Sequence, residues 1–263
     1  MKLPMYQVDA FSRSAFGGNP AAVVPLESWI YVPTMQAIAA ENNLSETAFI
    51  VPRAGEFEIR WFTPLQEVEL CGHATLGSGY VVLRHLDPAR QSVRFASRSG
   101  QLSVTRDGER LALELPRWDP TPVEAPPPSL AKALGRAPRQ VLAYGSKYLC
   151  VYDDAAEVAA LHPDMRALAG LDRYGVIVTA PGAAYECDFV SRFFAPAAGV
   201  DEDPVTGSAH CLLSPYWSER LERDSLFAKQ ISKRGGEIWC RAGDKTVTLT
   251  GHVTPYFVGE IEV

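Results

Sequence analysis

The segment Glu69-Leu70-Cys71-Gly72-His73-Ala74-Thr75-Leu76-Gly77-Ser78-Gly79-Tyr80 returns in altered form as Asp203-Pro204-Val205-Thr206-Gly207-Ser208-Ala209-His210, about half of the 263 residues further on. Each copy reads as a polar turn feeding a helix. The surroundings repeat as well. Arg60-Trp61-Phe62-Thr63-Pro64 matches Arg192-Phe193-Phe194-Ala195-Pro196, and Arg98 to Val104 matches Arg234 to Cys240. Gln7 to Phe11 is echoed by Gln140 to Tyr144, and Met35 to Ala39 by Met165 to Ala169. One such echo is chance similarity between short strands; five in the same order, at offsets of 130 to 136, point to internal duplication. A duplicated chain folds as two related halves, each supplying one helix start.

Hydrophobic periodicity gives the content of each half. Strand-like runs cover Tyr6 to Phe11, Thr47 to Val51 and Phe57 to Phe62, and a helix begins near Pro33 and ends at Asn42-Asn43. The segment from Gly72 to His85 carries no charge before Arg84, and a helix apolar all round is a buried one. A sheet must therefore wrap it. Strands Ser92 to Ala96, Gln101 to Arg106 and Arg110 to Leu115 follow, the last two joined by an Asp107-Gly108 turn. The proline-rich stretch from Pro116 to Pro128 reads as a linker. The expected organisation is a lobe over 1–117, a second over 118–255, and a last strand over 256–263 that crosses back to the first.

A net charge of −6 without a Lys/Arg cluster argues against a nucleic-acid footprint. No apolar run is long enough for a signal sequence or membrane span, so the expected location is the cytoplasm, with no membrane partner. Five scattered cysteines without a Cys-x-x-Cys pair suggest neither a disulfide framework nor a zinc knuckle; Cys150, Cys187, Cys211 and Cys240 read as buried small hydrophobes. No Gly-x-Gly-x-x-Gly or Walker-type loop is present, so nucleotide binding has no positive signal.

The candidate chemistry lies at the two turns. A glycine at a helix start lets a ligand approach free N–H groups that favour an anion, so Gly72-His73 and Gly207-Ser208 together suit a carboxylate. Of the acidic run Asp201-Glu202-Asp203, Asp203 is nearest to its turn glycine; the rest reads as a charged loop. Glu46, in the polar triplet Ser45-Glu46-Thr47, belongs to one half only, because Asp172-Arg173-Tyr174-Gly175 offers no carboxylate in the matching place. By composition alone Glu46 is equally a helix-end surface residue.

Asn43-Leu44-Ser45-Glu46-Thr47-Ala48-Phe49, Arg60 to Pro64, Glu69 to Leu76 and Asp201 to His210 together resemble the PhzF (phenazine-biosynthesis-like) family, and Gly18-Asn19-Pro20-Ala21 also fits. The resemblance spans almost the whole chain. It implies the α+β diaminopimelate-epimerase-like fold: two pseudo-symmetric lobes, each a curved, mostly antiparallel sheet or barrel around a central helix, with the site between them. It also implies that Glu46 carries a proton, that His73 and Asp203 help to hold or relay it, and that Ser45, Gly72, Gly207 and Ser208 bind a small carboxylate substrate. No cofactor and no metal are expected, and relatives suggest a homodimer. Related epimerases use two thiols, one from each half. Here Cys71 holds the first position and Thr206 the second, whose hydroxyl has no usable acidity near neutral pH. The expected function is thus a cofactor-independent isomerase that moves a proton within a small unsaturated carboxylic acid. The alternatives are an amino-acid racemase or epimerase, a non-catalytic binding protein, and a metal enzyme built on Cys71, His73, His210 and Cys211.

Overall fold

A computed structural model describes residues 1–263, which divide into two compact units. The first comprises Met1–Leu115 with Thr248–Val263, and the second Pro116–Val247.

The first unit runs β1 (Lys2–Ala10), β2 (Asn19–Pro25), α1 (Val32–Asn42), β3 (Glu46–Arg53), β4 (Glu56–Phe62), β5 (Glu67–Val68), α2 (Gly72–Val81), β6 (Ser92–Ser97), β7 (Gly100–Asp107) and β8 (Arg110–Pro116). The second runs β9 (Thr121–Pro122), α3 (Pro128–Leu134), β10 (Gln140–Tyr144), β11 (Lys147–Val151), α4 (Ala155–Ala159), α5 (Met165–Ala169), β12 (Gly175–Pro181), β13 (Phe189–Ala195), β14 (Val200–Asp203), α6 (Gly207–Leu221), β15 (Ser225–Gln230) and β16 (Gly236–Ala242). Strand β17 (Thr246–Gly251) leads back to the first unit, where β18 (Val253–Glu262) pairs antiparallel with β1 from Ala10 to Lys2.

The ladders show the duplication directly. In the first unit β1–β2 is antiparallel, β2–β3 parallel, β3–β4 and β4–β5 antiparallel, β4–β6 parallel and β6–β7 antiparallel. In the second, β10–β11, β11–β12, β12–β13, β13–β14, β13–β15 and β15–β16 repeat that order of senses. Each unit also clamps the hairpin before its central helix with the same ion pair. Arg60 grips Glu67 through two bonds of 2.7 Å, and Arg192 grips Glu202 at 2.7 and 3.1 Å. Both guanidinium groups lie over a phenylalanine two residues on, Arg60 5.4 Å from the Phe62 ring and Arg192 4.9 Å from Phe194. A planar, always charged fork that also packs on an aromatic face suits this half-buried position better than lysine does.

The central helices are buried as their composition demands. Every residue of α2 except Tyr80 is buried, and Gly79 lets the helix touch β7 so closely that a Cβ there falls 2.4 Å from Val104 Cγ1. The α-helix stops at Val81, short of the expected His85, and continues as a π-helical turn over Val82–Leu86. The wider turn is fixed by Asp87 N donating to Val82 O at 2.8 Å and by the Arg106 guanidinium taking the Leu83 carbonyl.

The stretch from Pro116 to Pro128 is built into the second unit instead of serving as a free linker. Arg117 N donates to Lys245 O (2.9 Å), Trp118 N to Cys211 O (3.0 Å) and Val123 N to Val141 O (2.9 Å). Its prolines occupy places that need no N–H: Pro122 lies in the two-residue strand β9, and Pro128 opens α3. No helix of the structure is long and apolar enough to cross a membrane.

Candidate active site

In the first unit β3 begins at Glu46 and α2 at Gly72, and the two starts bring Glu46 and His73 together. His73 Nε2 lies 3.1 Å from Glu46 Oε2, with the imidazole side chain 4% and the carboxylate side chain 16% exposed. Asn19, the first residue of β2 and fully buried, places its Nδ2 3.1 Å from His73 Nδ1. Cys71 Sγ lies 3.5 Å from the same Nδ1. An amide carries a donor and an acceptor on one carbon, so Asn19 can serve His73 in either protonation state by turning over. Glu46, Cys71 and His73 each offer a ligand atom within 4.8 Å of the others, a set chemically able to hold a divalent cation.

Burial works against a charge on His73. The groups it faces, Cys71 and Glu46, and its hydrogen bonds to both more than offset this, so the imidazole pKa lies well above its ordinary value. Burial and the Glu46 charge push the Cys71 thiol up to about 11. Near neutral pH Cys71 is therefore an uncharged thiol.

In the second unit the corresponding turn is organised by oxygen. Thr206 Oγ1 donates to Asp203 Oδ2, Gln230 Oε1 accepts from Thr206 N at 2.8 Å, and Gln230 Nε2 donates to Asp203 O at 2.7 Å. The thiol position of the first half is thus filled by a hydroxyl engaged with a carboxylate. Neither helix is capped by the side chain of its preceding residue, Cys71 or Thr206. Instead Thr75 Oγ1 donates to Cys71 O, and His210 Nδ1 to Thr206 O at 2.8 Å, so both starts are braced from one turn inside the helix. The leading N–H groups at Gly72-His73 and Gly207-Ser208 remain outside any side-chain cap and suit an anion. Ser45 is half-buried beside Glu46, and Ser208 is half-buried on the first turn of α6.

Of the four metal ligands raised from the sequence, Cys71 and His73 group with Glu46 in the first unit, whereas His210 and Cys211, in the second, belong to no cluster of potential ligand atoms. Sequence reasoning assigned no site role to Asn19 or Gln230. Asn19 stood inside a quoted motif, but nothing in the spacing joined it to His73, 54 residues on.

The ordered ladders around buried central helices, repeated in both units, define a diaminopimelate-epimerase-like α+β fold. A probable proline racemase from Agrobacterium radiobacter shares that fold, with a TM-score of 0.64 at 11% identity over 99% of this chain and 93% of its own. The family model for phenazine biosynthesis-like proteins (PhzC-PhzF) matches residues 8–259, and the chain belongs to that family. An uncharacterized isomerase of Pseudomonas aeruginosa is 49% identical over the full length of both chains. The crystal structure of a PhzF-family protein from Enterococcus faecalis superposes with a TM-score of 0.95 at 42% identity, each chain fully covered. The protein is an isomerase of the PhzF type.

Proposed function

We propose that the protein is a cofactor-independent isomerase that moves a proton along a small unsaturated carboxylic acid, with Glu46 as the single base. The observation that carries this reading is the pairing of the half-buried Glu46 with the buried His73, 3.1 Å apart, whose like is missing from the other unit. Thr47 pairs with Phe62 and Val176 with Phe194, so the register sets Gly175 in the place that Glu46 holds. Glu46 takes a proton from a carbon next to the unsaturation, and the electron pair left behind spreads into the conjugated acid. The helix-start N–H groups favour the charge that accumulates on the carboxylate. Glu46 then returns the proton to another carbon on the same face. His73 positions the carboxylate and balances its charge; Asp203 fixes Thr206 and, through it, the second turn.

The test is proton NMR of a panel of small α,β- and β,γ-unsaturated carboxylic acids in deuterated water with the wild type and Glu46→Gln. The reading expects one acid to shift its double bond with deuterium on a single face, and Glu46→Gln to slow that reaction by at least about 10²-fold. Unchanged turnover by Glu46→Gln, or label on both faces of one centre, contradicts it.

A further inference from the structure

The same register that sets Gly175 against Glu46 has a second member. Ala21 of β2 pairs with Glu46, and the residue that pairs with Gly175 is Lys147, the first residue of β11. A Cβ on Gly175 would lie 2.9 Å from the Phe193 ring and 3.2 Å from Lys147 Cγ, so the space of the missing carboxylate is already filled by the Phe193 ring and the lysine stem. Where one half carries an acid, the other carries a buried cation.

Lys147 is 8% exposed, and no carboxylate lies within ion-pair distance of it. Its Nζ rests 5.0 Å from the Trp118 ring centre and 5.1 Å from that of Tyr174; Trp118 in turn stacks on Tyr144 at 5.4 Å. Ring faces offset part of the cost of burying an ammonium group but supply no counter-charge. The parallel strands β11 and β12 begin, and the antiparallel β13 ends, at one end of the sheet. From that end β14 and the Pro204–Thr206 turn lead straight into α6. Trp118 N donates to Cys211 O in the second turn of α6, and Cys211 Sγ points back to Gly207 O. Thr179 lies on the same face of β12 as Gly175 and accepts a hydrogen bond from Trp217 Nε1 of α6 at 2.9 Å, so Lys147, the partner of Gly175, points its side chain to the side of the sheet that faces α6.

We infer that Lys147 is the counter-ion for the substrate carboxylate: it binds a flat organic acid at the start of α6 together with the Gly207-Ser208 N–H groups and the Ser208 hydroxyl, with Trp118 and Tyr174 as apolar walls. The inference deepens the proposed function by naming the residue that selects acids over neutral analogues. It adds a binding group and no covalent step.

Calorimetric titration of the full chain with benzoate, and with benzamide as its neutral isostere, tests it without requiring turnover. Wild type and Glu46→Gln should bind benzoate with similar affinity and benzamide at least about tenfold more weakly. Lys147→Met should lose at least about tenfold in benzoate affinity and discriminate little between the two, whereas Lys147→Arg should stay within about threefold of wild type. Lys147→Gln, polar and of similar length, replaces Lys147→Met if the latter fails to fold by circular dichroism. Benzoate binding by the uncharged variant equal to wild type overturns the inference, as does wild type that fails to bind benzoate or prefers benzamide. Either result leaves the Glu46 reading standing, since that reading is judged by label exchange; loss of activity in Glu46→Gln likewise says nothing for Lys147.

Discussion

Two histidines, one in each unit, are driven in opposite directions by their surroundings, and pH separates them. Although burial opposes its charge, His73 has a folded-state pKa raised above its unfolded value by Cys71 and Glu46, which its ring nitrogens face. Its contribution to stability is therefore fully present below about pH 6.5 and fades as pH rises through the folded value. His73→Asn should flatten the stability curve on that alkaline side, measured by urea unfolding across pH. His210 is completely buried and depressed to about 4, because burial disfavours its charged form. Its Nδ1 proton serves the Thr206 carbonyl, and Nε2 has no protein partner. The unfolded chain binds a proton near pH 6.5 that the folded chain refuses until about 4, so roughly 3 kcal/mol should be lost between those values. His210→Gln should remove that part of the acid sensitivity; a variant with the wild-type slope would refute the assignment.

At the scale of elements, the helix starts depend on supports that flank them. The Arg60–Glu67 clamp ties β4 to β5 just before α2, and its hydrogen bonds keep Glu67 below the usual carboxylate range. Arg60→Met should destabilise the protein by about 2 kcal/mol, less than a fully buried pair because both side chains keep some exposure. Gly79→Ala forces a methyl against Val104 at 2.4 Å inside a packed helix–sheet contact and should cost about 1 to 3 kcal/mol by thermal unfolding. The helices themselves were legible in the sequence: glycine turns at Gly72 and Gly207 followed by uncharged residues left no other reading, and both helices begin there. The π-helical turn after Val81 was not legible, because it answers to Arg106 of β7 reaching the Leu83 carbonyl, a contact that no local pattern encodes.

For the whole molecule, the repeat carried most of the fold, since five ordered echoes imply the same ladders twice. What the echoes hid was the change across one pair of parallel strands: Ala21 opposite Glu46 in the first unit, Lys147 opposite Gly175 in the second. Glu46 was legible as an addition to one half, but Lys147 was not, because its significance lies in pairing with Gly175, 28 positions away. The units do divide at Pro116, but the hold on the residues that follow was hidden, because Arg117 N and Trp118 N find their partners Lys245 O and Cys211 O far away in sequence. The return strand β18 completes β1 along nine pairs, Lys2↔Glu262 to Ala10↔Val253. Deleting residues 253–263 should therefore raise amide exchange throughout β1 while leaving β12 and β13 protected.

The central claim is that one carboxylate, on one face, moves the proton. The most direct measurement is the stereochemistry of deuterium uptake during turnover of the acid identified in the panel, with wild type and Glu46→Gln side by side. The account predicts an allylic shift with label on a single face in the wild type, and a rate at least about 10²-fold lower in Glu46→Gln. Label on both faces, or normal turnover by Glu46→Gln, would contradict it.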